Sequence, residues 1–118
     1  MPKEAENDRT KLIKRELARM RKIFANLPEN EQKFIEPMLQ NAAFMKVVLE
    51  ELQEQVAEYG CTEEYTNGKD QGGRKISAEL SAYNTTVKNY NTVMVRLIER
   101  LPKDEKKSAM LEMMEKYA

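Results

Sequence analysis

The chain has 118 residues, of which 34% are charged, and its 20 basic and 20 acidic side chains leave a formal net charge of zero. This length suits one small domain, so we expect a single domain over residues 1–118. A neutral chain is not a globally basic nucleic-acid binder. The charges are nevertheless segregated, since residues 9–22 carry seven basic side chains and one acidic one, whereas residues 29–64 carry nine acidic and two basic ones. Such segregation indicates pairing between the two segments or one face meant for an anionic partner.

Residue types that most enzyme sites need are missing. The chain has no histidine, and Cys61 is its only cysteine, so it cannot assemble a Ser-His pair, a Cys-His pair, a Cys/His metal cluster or an intrachain disulfide. The segment GKDQGGRK lacks the spacing of a phosphate-binding glycine loop and follows a predicted helix rather than a strand. We therefore expect a protein that is not an enzyme, with no catalytic residue, metal or cofactor.

The sequence predicts neither a signal peptide nor a membrane span. The N-terminal segment MPKEAENDRTK is charged and lacks the apolar core of a signal peptide. No apolar run approaches the ~18–20 residues needed to cross a bilayer. We therefore expect a soluble, intracellular protein without a membrane partner.

The first predicted helix, residues 8–26, is amphipathic, and the face opposite its apolar residues is basic. Asp8 is a plausible N-cap, and Leu27-Pro28 ends the helix. Its cations suit the phosphates of a DNA backbone, but pairing with the acidic face of the following helix explains them equally well. This basic arc consists of Lys11, Lys14, Arg15, Arg19, Arg21 and Lys22, of which all but Arg21 are candidate DNA contacts.

Two long segments, residues 30–59 and 77–101, carry apolar residues at alternating spacings of three and four, which is typical of helices that pack along each other. We expect them to form an antiparallel hairpin, with Pro37 kinking the first helix or splitting off a short turn. The acidic face of that helix comprises Glu50, Glu51, Glu54 and Glu58. The seam of the second, expected in the core or between subunits, comprises Leu80, Tyr83, Val87, Tyr90, Met94 and Leu97.

Residues 60–76 are predicted to form one long flexible loop, because Asn67-Gly68 and Gly72-Gly73 are strong turn signals. Three cations near its tip, Lys69, Arg74 and Lys75, are a second candidate DNA contact. For one isolated subunit, a solvated hairpin end explains them somewhat better.

A short helix over residues 104–117 follows Pro102 and carries a methionine cluster suited to core filling or to docking on a partner. The docking candidates are Met110, Met113, Met114 and Tyr117. The predicted fold is thus all-α: a long antiparallel helical hairpin with an N-terminal amphipathic basic helix and a short C-terminal helix.

Four stretches of the chain are distinctive: NAAFM at 41–45, the VVLEELQE that follows, EYTNGKDQGG at 64–73 and YNTTVKNYNTVM at 83–94. Together they resemble small terminase subunits of tailed phages, in the variant common in phages and prophages of Gram-positive bacteria. The resemblance covers roughly residues 10–102 in order, including the loop. None of these motifs is chemically diagnostic by itself.

The resemblance implies a non-catalytic regulator of viral genome packaging in the host bacterial cytoplasm. Small terminases bind double-stranded viral DNA, form ring-shaped homo-oligomers and hand the DNA to the large terminase subunit. The chain lacks a convincing helix-turn-helix, which leaves open whether its DNA contacts lie on the first helix, on the loop or in the lumen of a ring. The alternative is a helical structural or scaffold protein that never contacts DNA.

Overall fold

A computed structural model describes residues 3–68 and 71–115, with side chains over 8–68 and 71–112. The chain measures 62 × 33 × 27 Å, and its radius of gyration is 18.0 Å, against about 13–14 Å for a compact domain of this length. It is therefore a rod. Its elements are α1 (Lys3–Ile23), α2 (Glu29–Tyr59), β1 (Thr62–Thr66), β2 (Gly72–Ile76), α3 (Ala78–Ile98) and α4 (Lys103–Glu115).

Helix α2 is the longest helix and contacts both α1 and α3, which pack against it in the antiparallel direction. Ala42 and Ala43 are fully buried in the middle of α2, and their small side chains let the neighbouring helices approach closely. The three helices share one hydrophobic core, to which α4 contributes Ala109. Helices α2 and α3 therefore form an antiparallel pair, and the basic helix α1 packs on α2 as the third helix of the bundle.

Pro37 does not split α2, which runs without interruption from Glu29 to Tyr59. Pro37 is exposed, so water can satisfy the carbonyl that loses its intrahelical partner. The first helix also differs from its prediction, since it begins at Lys3 and Asp8 lies inside it rather than at its N-cap. Ser77 caps the N-terminus of α3, where its hydroxyl accepts a hydrogen bond from the Leu80 N–H at 3.1 Å.

The prediction of one long loop over residues 60–76 is wrong, because β1 and β2 pair there as an antiparallel hairpin. The fold is therefore mostly helical rather than all-α. The sequence did not predict these strands, because neither face of the hairpin is covered. Their residues therefore lack the alternation of apolar and polar side chains that indicates a half-buried strand. Gly68 has a φ of 101° at the turn, a conformation that glycine adopts at little cost.

None of the described helices combines the length and the apolar composition that a membrane-spanning helix requires.

Candidate nucleic-acid interface

Helix α1 presents a cationic face to solvent. Met20 of α1 and Phe24, which follows the end of the helix, are buried in the core, and the helical period therefore places the cations of the opposite face outward. At 1.5 Å per residue the face is about 16 Å long. Its four cations, all exposed and without an ion pair in the described part of the chain, are Lys11, Lys14, Arg15 and Lys22.

Two acids of the predicted acidic face of α2 pair with cations outside the basic arc. Arg9 at the edge of α1 donates two hydrogen bonds to Glu51, at 2.7 and 3.0 Å. On α2, Glu50 pairs with the buried Lys46 at 3.3 Å. No cation of the basic arc pairs with the predicted acidic face of α2 within the described residues, so pairing with that face does not explain the arc.

Arg21 is the one cation of the arc that pairs with α2. Its guanidinium donates to Glu36 at 2.9 and 3.3 Å, with a further close contact between the same two groups. The hydrogen bond from Arg21 lowers the pKa of Glu36 and raises that of Arg21 itself. This pair fastens the C-terminal half of α1 to the start of α2, so it positions the cationic face without belonging to it.

Arg19 is placed differently from the prediction, which grouped it with the DNA contacts. Its guanidinium donates to Glu16 at 3.2 and 2.5 Å, and these side chains are only 20% and 6% exposed. The hydrogen bond to Glu16 raises the pKa of Arg19. Since Arg19 neutralises a buried carboxylate, we remove it from the candidate interface.

The hairpin cations form a weaker candidate than the α1 face. Arg74 lies 3.5 Å from Glu64 and donates to the Thr62 hydroxyl, and Lys75 lies 3.7 Å from Glu63. Each cation therefore has a cross-strand acid, which leaves the described part of the hairpin balanced in charge. Lys69, the third predicted contact, lies outside the described residues.

The predicted seam of α3 divides into two halves. Tyr90, Met94 and Leu97 are buried, and burial raises the pKa of the Tyr90 phenol to about 12. Nearer the hairpin, Leu80, Tyr83 and Val87 are half-buried, and the Tyr83 hydroxyl accepts a hydrogen bond from Gln53 at 3.1 Å. Within one chain the seam is thus mainly core, and only its N-terminal half remains accessible to another subunit.

Sequence reasoning missed the burial of Lys46 and the exposure of two phenylalanines. Lys46 is only 3% exposed, whereas Phe34 and Phe44 are 61% and 51% exposed. The helical period could have revealed the first, because Lys46 shares a face with the core residues Ala42 and Leu49. Phe34 stacks beneath the Arg100 guanidinium, 4.3 Å from its ring centroid.

On α4, the predicted docking helix, the Met110 residue and the neighbouring Leu111 are each 51% exposed. The helix is held to the bundle by buried Ala109 and by a 2.8 Å hydrogen bond from the Asn26 side chain to Glu105. Met113 and Met114 lie within α4, but their side chains and the whole of Tyr117 fall outside the described part.

Comparison with protein-family models, with curated proteins and with solved structures found no match. In the described residues, no group of histidine, cysteine, aspartate or glutamate side chains could hold a metal ion.

Proposed function

We propose that the chain is a small terminase subunit, a non-catalytic protein that binds double-stranded viral DNA through the α1 cationic face. The single observation that carries the DNA-binding part is that Lys11, Lys14, Arg15 and Lys22 share one exposed helix face without ion-pair partners in the described residues. The packaging role comes from the sequence resemblance.

The face suits phosphates rather than base edges. All four side chains are exposed cations on one side of a helix, so they can neutralise the phosphates of a DNA backbone, and phosphate contacts carry no sequence information. Each phosphate neutralised releases counterions and contributes about 0.9 to the slope of log affinity against log salt concentration. Four such contacts give a slope of roughly 3.6, which is about a hundredfold loss of affinity between 50 and 200 mM salt.

The experiment replaces all four residues, as K11Q/K14Q/R15Q/K22Q, and measures affinity for a DNA duplex by fluorescence anisotropy across a salt series. The matched control, K88Q/R96Q/K103Q/K107Q, removes four exposed cations from α3 and α4 and so changes net charge equally. We expect the α1 variant to lose affinity and most of its salt slope while the control keeps both. Equal behaviour of the two variants would contradict the proposal.

The proposal includes self-association into a ring and recruitment of the large terminase subunit in the host bacterial cytoplasm. Exposed apolar side chains support an assembling protein, since Phe34, Phe44 and Tyr59 all stand on α2 at more than half exposure and such residues favour protein interfaces.

The same exposed residues would serve a helical scaffold protein that never contacts DNA, which is the second candidate function. The DNA titration separates the two functions, because a scaffold gives no salt-dependent binding through α1.

A further inference from the structure

The β-hairpin has two open edges. Among the described residues the sheet contains only β1 and β2. Two backbone hydrogen bonds show which residue pairs are hydrogen-bonded: the Ser77 N–H donates to the Cys61 carbonyl at 2.8 Å, and the Asn67 N–H donates to the Gln71 carbonyl at 2.6 Å. Because an antiparallel ladder alternates, the backbone groups of every second residue then point away from the partner strand. These outward groups belong to the pairs Thr62↔Ile76, Glu64↔Arg74 and Thr66↔Gly72.

Little in the chain stabilises this hairpin. Every side chain of β2, and every one of β1 except Glu63, is exposed. The Tyr65 ring packs over Gly73 on the opposite strand, and a Cβ atom added to Gly73 would lie 3.4 Å from this ring. An uncovered two-stranded sheet is marginal in water, and open strand edges are templates for a further strand. The hairpin therefore suits pairing with another chain.

The charges on the strands select which strand can be added. Strand β1 carries Glu63 and Glu64 with no cation, and β2 carries Arg74 and Lys75 with no acid. Pairing of two β1 strands would set carboxylates against carboxylates, and pairing of two β2 strands would set cations against cations. Like charges directly opposite destabilise a sheet, whereas opposite charges stabilise it.

We propose that β1 of one copy of this chain pairs in the antiparallel direction with β2 of a second copy, in the register of the intrachain hairpin. Each cation of the β2 strand at the junction then lies between two carboxylates, one from its own chain and one from its neighbour. The contact is head-to-tail, so it leaves a free β1 on one copy and a free β2 on the other, and it can continue from copy to copy. It deepens the self-association in the proposed function and rests on that part alone, independently of DNA.

Disulfide trapping between single-cysteine variants tests the strand pairing. In a C61S background, E63C and K75C are prepared separately, mixed without DNA, oxidised and separated by non-reducing electrophoresis. Across the proposed junction positions 63 and 75 form a non-hydrogen-bonded pair, the closer kind in an antiparallel ladder, within the reach of a disulfide. The K88C variant, whose cysteine replaces an exposed residue of α3, measures the disulfide formed by random collision.

We expect several-fold more disulfide-linked dimer in the E63C and K75C mixture than with K88C or with either variant alone. A mixture that matches K88C would show that the edges do not pair. Stronger trapping within E63C alone or K75C alone would show like-strand pairing, and either result overturns the inference. Because DNA binding is measured separately on α1 variants, failure here leaves that part of the proposed function untouched.

Discussion

Arg15 and Arg19 show how four residues along one helix change the role of an arginine. Arg15 is exposed without an ion pair in the described residues, whereas Arg19 neutralises Glu16, whose side chain is 6% exposed. Both arginines belong to the predicted basic arc of α1, and both were therefore predicted to contact DNA. Burial separates them, because a carboxylate in a low-dielectric setting needs a bound cation.

Substituting each arginine by methionine, which keeps much of the aliphatic stem, tests this division. R19M should destabilise the fold by about 3 kcal/mol, because a buried carboxylate loses its bidentate partner, and should leave the salt slope of DNA binding unchanged. R15M should change stability by less than about 0.5 kcal/mol and lower the slope by about 0.9. Thermal unfolding and DNA titration on the same samples measure both. Equal destabilisation, or a lower slope for R19M alone, would contradict the assignment.

At the scale of elements, α4 is anchored by one side and exposed on another. Ala109 and Glu105 hold it to the bundle, while Met110 and Leu111 face solvent. If α4 recruits the large terminase subunit, M110S/L111S should abolish stimulation of that subunit's ATPase. Because both residues are exposed, the melting temperature and DNA affinity should change little.

The control for α4 is V95S, which removes an equally exposed apolar side chain from α3 and should retain full stimulation of the ATPase. Persistent stimulation by M110S/L111S would remove α4 as the docking element. A collapse of its melting temperature would show instead that this side of α4 belongs to the core.

The helices were largely predictable from the sequence and the hairpin was not, for a physical reason. The spacing of apolar residues such as Leu97 and Met94 records burial against a neighbouring helix, so it predicted both α3 and its packing on α2. The hairpin instead pairs residues across two strands, such as Glu64 with Arg74, and this pairing leaves no periodic signal in the sequence. An acidic run and a basic run on either side of Asn67-Gly68 were the available clue.

The partners of individual charges were also beyond the sequence. It could place cations on one side of α1, but it could not tell that Arg9 and Arg21 would pair with acids of α2, whereas Lys11, Lys14, Arg15 and Lys22 have no ion pair among the described residues. That outcome depends on the relative position of two helices along their axes, which the packing of Met20 and Phe24 in the shared core settles.

For the whole molecule, the rod shape separates the candidate functions in space. The α1 cationic face lies along one side of the bundle, the open hairpin follows the end of α2, and α4 lies beside the turn between α1 and α2, where Asn26 reaches Glu105. A chain 62 Å long can thus contact DNA, a second copy and a further protein through different surfaces.

Lysine acetylation footprinting of the unaltered chain, with and without a DNA duplex at low salt, tests whether DNA binds to the α1 cationic face. Reaction at each lysine is read by mass spectrometry. Bound DNA should protect Lys11, Lys14 and Lys22 together while the exposed Lys88, Lys103 and Lys107 react as before, and raising the salt should remove the protection. Protection confined to Lys69 and Lys75, or no protection on α1 at a DNA concentration that saturates binding, would contradict the assignment of the α1 cationic face as the DNA-binding surface.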